Sequence, residues 1–184
     1  ESPTATEDYG KIYVKASAGN DFTAESALSK GLLAYYSMSG DWNDGVGGHH
    51  GNPNGSFGFA DAKIGKGGVQ NGGAHLSYGS TLLNNPGEQT IAAWIYIETL
   101  PSDGPPFWKL PAIMSKGNVY INFGYNSKGN LFGYYYNNQG TPIESIVSSK
   151  TLSTGSWHHV AWTWTSKSTQ LFINGKAAFS EASI

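Results

Sequence analysis

Cysteine and arginine are both missing from this chain of 184 residues. Without cysteine there is neither a disulfide framework nor a thiolate metal site. All 11 basic residues are lysines, so no planar guanidinium fork is present to grip phosphate, sulfate or carboxylate, and a strongly anionic ligand is disfavoured. Charge of either sign is scarce, 13 % of residues with a net −2, which gives no electrostatic pull toward nucleic acid or an anionic membrane. No apolar run approaches the roughly 18 residues needed to span a bilayer, so membrane insertion is not expected. The polar start, Glu1–Asp8, has no secretory leader pattern and reads as a linker or a trimmed mature end.

Glycine (25 residues) and aromatics (14 %) are plentiful, a composition of many short strands and tight turns within one domain. Residues 1–30 read as a tail or linker holding one short alternating strand, Lys11–Lys15, and a helical turn started by Thr23. Residues 31–184 read as the folded domain. Strands are expected at 32–37, 68–70, 74–78, 90–97, 111–115, 118–124, 130–137, 144–147, 157–165, 169–174 and 176–180, separated by Gly, Asn or Pro. Two stretches, Asn52–Gly58 and Pro101–Pro111, look too polar and irregular for a ladder. The strand at 90–97 is apolar on both sides: Thr90, Ala92, Trp94 and Tyr96 share one face, Ile91, Ala93, Ile95 and Ile97 the other. Trp94, Trp157, Trp162 and Trp164 read as core or sheet-surface packing. The fold class this predicts is all-β, two antiparallel sheets packed as a sandwich.

Two segments near the end are the most informative. Trp157-His158-His159-Val160-Ala161-Trp162 alternates as a strand, and Leu171-Phe172-Ile173-Asn174-Gly175-Lys176 runs into Asn-Gly, the pair a type I′ hairpin turn demands because both central residues need positive φ. Together they resemble the "WhHVA…lYvNG" signature of laminin-G-like domains in the concanavalin A-like lectin/glucanase superfamily. Gly31–Tyr36 with the loop Asp41–Gly51, Gly65–Val69 with Ala74–Tyr78, Thr90–Ile95 and Ile113–Gly117 resemble further family segments in the same order, covering about residues 31–178. The resemblance implies a jelly-roll sandwich that binds glycans or mediates extracellular contacts. It also implies that residues 176–184 supply only a return strand, so that the usual last strand would come from another polypeptide segment. The alternative is that Lys11–Lys15 fills that slot.

Relatives on this fold include glycoside hydrolases, which place two carboxylates close together, typically alternating along one strand. None of the 13 acidic residues has that arrangement: Glu98, Asp103 and Glu144 stand alone. The adjacent pairs His49-His50 and His158-His159 point to opposite faces of extended chain, so neither pair can chelate one metal. His159 matches the family's structural histidine, expected to pack and hydrogen-bond within the sheet. In the Gly- and Asn-rich loop from Asp41 to Gly58, Asp41 and Asp44 offer hard oxygens of the calcium type, and the resemblance implies a structural Ca2+ there. The same loop is also explained by Asx-turns without a metal.

Sugar rings stack on Trp and Tyr while amides orient their hydroxyls. Aromatics outside the evident core periods are Trp42, Trp108 and the pair Tyr134 and Tyr136, the last two close to Asn138. The reading is a non-catalytic carbohydrate-binding module of a secreted or cell-surface protein. An extracellular adhesion domain contacting another polypeptide is the alternative, with glycoside hydrolysis a third.

Overall fold

A computed structural model describes residues 31–78, 88–103, 110–116, 121–136, 142–165 and 168–178. The expected strand Lys11–Lys15, the helical turn at 22–30 and the end of the chain at 179–184 lie outside these residues. The described chain is all-β. Its strands are β1 (Asn52–Asp61), β2 (Lys66–Ser77), β3 (Gln89–Tyr96), β4 (Ala112–Lys116), β5 (Ile121–Tyr125), β6 (Asn130–Tyr136), β7 (Pro142–Thr151), β8 (Trp157–Trp164), β9 (Thr169–Ile173) and β10 (Lys176–Ala177). Every pairing is antiparallel. The described residues build three sheets, in the orders β1-β2, β10-β9-β8-β3 and β4-β5-β6-β7, where two were expected.

The described residues fall into two compact units, residues 31–78 in one and residues 88–178 in the other. The unit that contains residues 31–78 holds the β1-β2 ribbon. Asn52–Gly58, expected to be irregular, is most of β1, and the two short strands expected at 68–70 and 74–78 are one continuous β2. Glycine and proline lower strand propensity here, but Phe57 and Phe59 share a face under the indole of Trp42, and that packing outweighs the local preference. The expected strand at 32–37 is reduced to a single bridge between Tyr36 and Asp44. Loop hydrogen bonds described below replace its ladder.

In the other unit, the two four-stranded sheets face one another as a sandwich. Alternation decides which side chains enter it. Ile91, Val160, Trp162, Leu171 and Ile173 line one wall; Ile121, Phe123, Leu131 and Ile146 line the other, and all are buried. Trp162 lies at the centre with no exposure, its ring 6.1 Å from Phe123 and its Nε1–H donated to Thr169 Oγ1 at 2.9 Å. That bond satisfies the one polar atom of a buried indole. Chain after β10 is tied back to β7 through Ser149 N–H to the Ala178 carbonyl at 2.7 Å.

The β9–β10 hairpin turns as its sequence requires. Asn174 and Gly175 have φ of 52° and 74°, the two positive values of a type I′ turn. Asn174 also clasps β8: its Oδ1 accepts from His159 N–H at 2.9 Å and its own N–H donates to the His159 carbonyl at 2.7 Å. The two sequence motifs of the previous section are therefore joined by two hydrogen bonds.

Candidate functional site

The same alternation that fills the core puts the opposite set of side chains on the outer face of the β10-β9-β8-β3 sheet. Register then sorts them into cross-strand rows. Tyr96 pairs with Trp157; Trp94 pairs with His159, next to Asn174; Ala92 pairs with Ala161 and that with Phe172; Thr90 pairs with Thr163 and that with Gln170. The rings pack in pairs. Trp94 meets His159 edge-on, with centroids 5.3 Å apart and an interplanar angle of 69°, and Tyr96 meets Trp157 at 5.6 Å. Such contacts hold rings in place beyond the area they bury.

These large rings are nevertheless open to solvent, Trp94 at 37 % and Tyr96 at 47 %. Burial lowers the His159 pKa below the ordinary imidazole value, so at neutral pH the ring is uncharged. His159 was expected to hydrogen-bond within the sheet. The buried, hydrogen-bonded histidine is instead its neighbour His158, whose Nε2 lies 3.0 Å from the Ser153 carbonyl on the inner side. No outward position of these four strands bears a charged side chain among the described residues: Glu88 and Glu98 lie beyond the two ends of β3, and Lys176 has the opposite parity on β10. The surface thus grades from an aromatic end, across two alanines, to a hydroxyl and amide end.

A second construction lies in the other unit. The Asp44 carboxylate is buried and surrounded by N–H donors. Oδ1 accepts from Tyr35 at 2.8 Å and Val46 at 2.9 Å; Oδ2 accepts from Gly47 at 2.9 Å and His49 at 3.0 Å, with His49 Nδ1 at 3.3 Å. Burial alone would raise the Asp44 pKa, but the backbone donors of Tyr35, His49, Val46 and Gly47 outweigh it and bring the group down to about 2. The loop is further closed by Tyr36 Oη donating to the His49 carbonyl at 2.6 Å and Gly51 N–H to the Trp42 carbonyl at 2.7 Å. Burial, then the neighbouring Asp44 charge, raises the Tyr36 pKa, so its phenol stays a donor.

Each Asp44 oxygen thus accepts from two backbone N–H groups, and a metal ion ligated there would compete with those bonds. Asp41 is exposed, and its Oδ1 accepts from Asn43 N–H at 3.0 Å as an Asx-turn. Among the described residues no three His, Asp or Glu side chains gather as metal ligands.

Each of the other residues singled out from sequence has its own surroundings within its unit. Trp42 stacks on Phe59 at 4.3 Å and covers Gly68. Tyr134 lies on the outer face of the β4-β5-β6-β7 sheet, 4.9 Å from the buried Phe132 ring and opposite Asn122 and Ser145. Tyr136 ends β6, opposite Pro142. Trp108 and Asn138 lie outside the described residues. The residues that sequence reading passed over, Trp94, Tyr96, Trp157 and His159, carry a signal in the alternation of β3 and β8, but only register brings them together.

Residues 70–183 match the laminin G-type model of the concanavalin A-like lectin/glucanases superfamily, and the chain belongs to that family. Among solved structures, domain 4 of AbnA, a GH43 extracellular arabinanase from Geobacillus stearothermophilus, in complex with arabinotriose, is similar with a TM-score of 0.53. The two are 20 % identical, over 83 % of this chain and 76 % of that one, a likeness of fold. No curated protein matches the chain in sequence.

Proposed function

We propose that this domain is a non-catalytic carbohydrate-binding module, acting outside the cell, that takes its ligand on the outer face of the β10-β9-β8-β3 sheet. The observation that carries the reading is the pair of exposed rings, Trp94 and Tyr96, each buttressed by a cross-strand partner. Two rings presented on one face of a sheet offer a stacking surface for the C–H faces of sugars, and the Thr and Gln side chains farther along that face suit hydroxyls. The likeness to an arabinotriose-bound domain of an extracellular arabinanase supports both the ligand class and the location. The reading is non-catalytic because the outward positions carry no carboxylate to serve as acid or nucleophile.

The jelly-roll description suits the two facing four-stranded sheets, with the ribbon as a third sheet. We also infer that the Asp41–Gly51 loop is set by the Asp44 carboxylate rather than by calcium.

The test is affinity electrophoresis on immobilised polysaccharides, followed by calorimetry. Tyr96→Ala and Trp94→Ala should each weaken binding about tenfold, ~1.4 kcal/mol, with little change in melting temperature for Tyr96→Ala. Loss of binding in Tyr134→Ala, with Tyr96→Ala unaffected, would move the site to the opposite sheet. Absence of binding across a broad glycan array would favour the protein-contact reading.

A further inference from the structure

We propose that the ligand is an extended, uncharged glycan several sugar rings long, running from the aromatic end of the outer face to its hydroxyl and amide end. The inference rests on the carbohydrate reading and specifies it in charge and in length.

Charge comes first. The eleven outward positions of these strands, from Tyr96 and Trp157 through Ala92, Ala161 and Phe172 to Thr90, Thr163 and Gln170, with Trp94, His159 and Ala177, hold no formal charge at neutral pH. His159 does not supply a cation, because burial disfavours its protonated form. The nearest acidic residues by sequence, Glu88 and Glu98, stand beyond the two ends of β3 and add negative rather than positive charge to that strand's flanks. A sulfated or uronic-acid polymer would lose water from its charges here and find no cationic side chain at the outward positions among the described residues. A neutral one has only hydroxyls to satisfy.

Length follows from the row spacing. Tyr96 and Thr90 are six positions apart on β3, which at about 3.4 Å per residue places the two ends about 20 Å apart. Each outer row is one step of two residues along that track. On β3 and β8 the Ala92–Ala161 pair has the smallest side chains, with Ala161 buried and the half-buried Phe172 beside it on β9, so the track is low over those two strands. A single sugar on the aromatic rows would leave Thr163 and Gln170 unused. A chain that stacks on Tyr96 and Trp94 and crosses the alanines brings later hydroxyls to Thr90, Thr163 and Gln170.

The experiment is calorimetry of the intact domain with a size series of neutral arabino- and gluco-oligosaccharides from one to six rings, in parallel with heparin and polygalacturonate. Affinity should rise at least tenfold from one ring to four. It should change less than twofold between 50 mM and 500 mM salt, and the two polyanions should bind at least tenfold more weakly than the neutral polymers. Gln170→Ala, at an exposed position, should weaken the longer oligomers three- to tenfold and leave the shortest that binds unchanged. Equal affinity for one and four rings, or tighter salt-sensitive binding of a polyanion, would overturn this inference while leaving the carbohydrate reading intact. Failure of every sugar, neutral or anionic, would overturn the parent reading instead.

Discussion

Gly133 on β6 faces the indole of Trp162 on β8 across the sandwich so closely that a Cβ at Gly133 would fall 2.5 Å from Trp162 Cε2. The central tryptophan is thus accommodated by the absence of a side chain on the opposite sheet. Phe123 and Leu131 fill the space around it, fully buried. Gly133→Ala forces either the indole or β6 to shift in a close-packed interior, and overpacking of this kind costs about 1–3 kcal/mol. Chemical denaturation should show a lower midpoint with an unchanged slope. An unaltered midpoint would mean that the sheets separate more easily than this contact implies.

The Asp44 loop gives a pH signature whose sign follows from its pKa. Folded, the carboxyl is brought down to about 2; unfolded, it returns to the ordinary value of 3.8. The unfolded chain therefore takes up the proton first as pH falls. The carboxylate's contribution, roughly 2 kcal/mol, is complete above the unfolded value and is lost as pH falls through that value toward the folded one. Asp44→Ala should lower the melting temperature at pH 7 by several degrees, and the gap between variant and parent should narrow at pH 2.5. A gap that stays constant with pH would show that packing, not the ionised group, is what the variant removes.

Calcium can be decided on the same instrument. A cation that binds only the folded state adds about 2.7 kcal/mol at a hundredfold excess over its Kd. With Asp44 already saturated by backbone N–H groups, melts in calcium and in chelator should agree within a degree. A rise of several degrees in calcium, abolished by Asp41→Ala, would restore the ion to the loop.

The strands that build the site were legible where propensity and context agree. Thr90–Ile97 and Trp157–Trp164 are rich in β-branched and aromatic residues, and their inward and outward sets follow from alternation alone. The Asn174-Gly175 turn was legible because its backbone demands leave few choices. Asn52–Gly58 was not: Pro53, Gly55 and Gly58 speak against a strand, and the packing of Phe57 and Phe59 under Trp42 that favours one is tertiary. The outer aromatic face was half legible. Trp94 and Tyr96 share a face by parity, but their pairing with His159 and Trp157 is a matter of register between segments far apart in sequence. Asp44 suggested calcium because a carboxylate among glycines offers oxygens; that those oxygens accept from four backbone N–H groups depends on the loop's closed path, which local sequence does not show.

Trp42 separates a loop aromatic that binds ligand from one that binds its own chain. Its ring stacks on Phe59 with an interplanar angle of 26° and meets Phe57 edge-on at 5.2 Å. A Cβ at Gly68 would fall 2.6 Å from the Trp42 ring, so this glycine admits the indole onto the ribbon. With one face already used, Trp42→Ala removes the cover from Phe57 and Phe59 and leaves a cavity, at about 2–3 kcal/mol for a partly buried ring, less than the 3–5 kcal/mol of a core site. Gly68→Ala should act in the same direction by displacing the same ring. Both variants should lower the melting temperature and, at temperatures where they remain folded, bind polysaccharide as the parent does. Trp42→Ala with an unchanged melt and lost binding would return the ligand to the loop where sequence alone had placed it, and would leave the outer-sheet rings as packing.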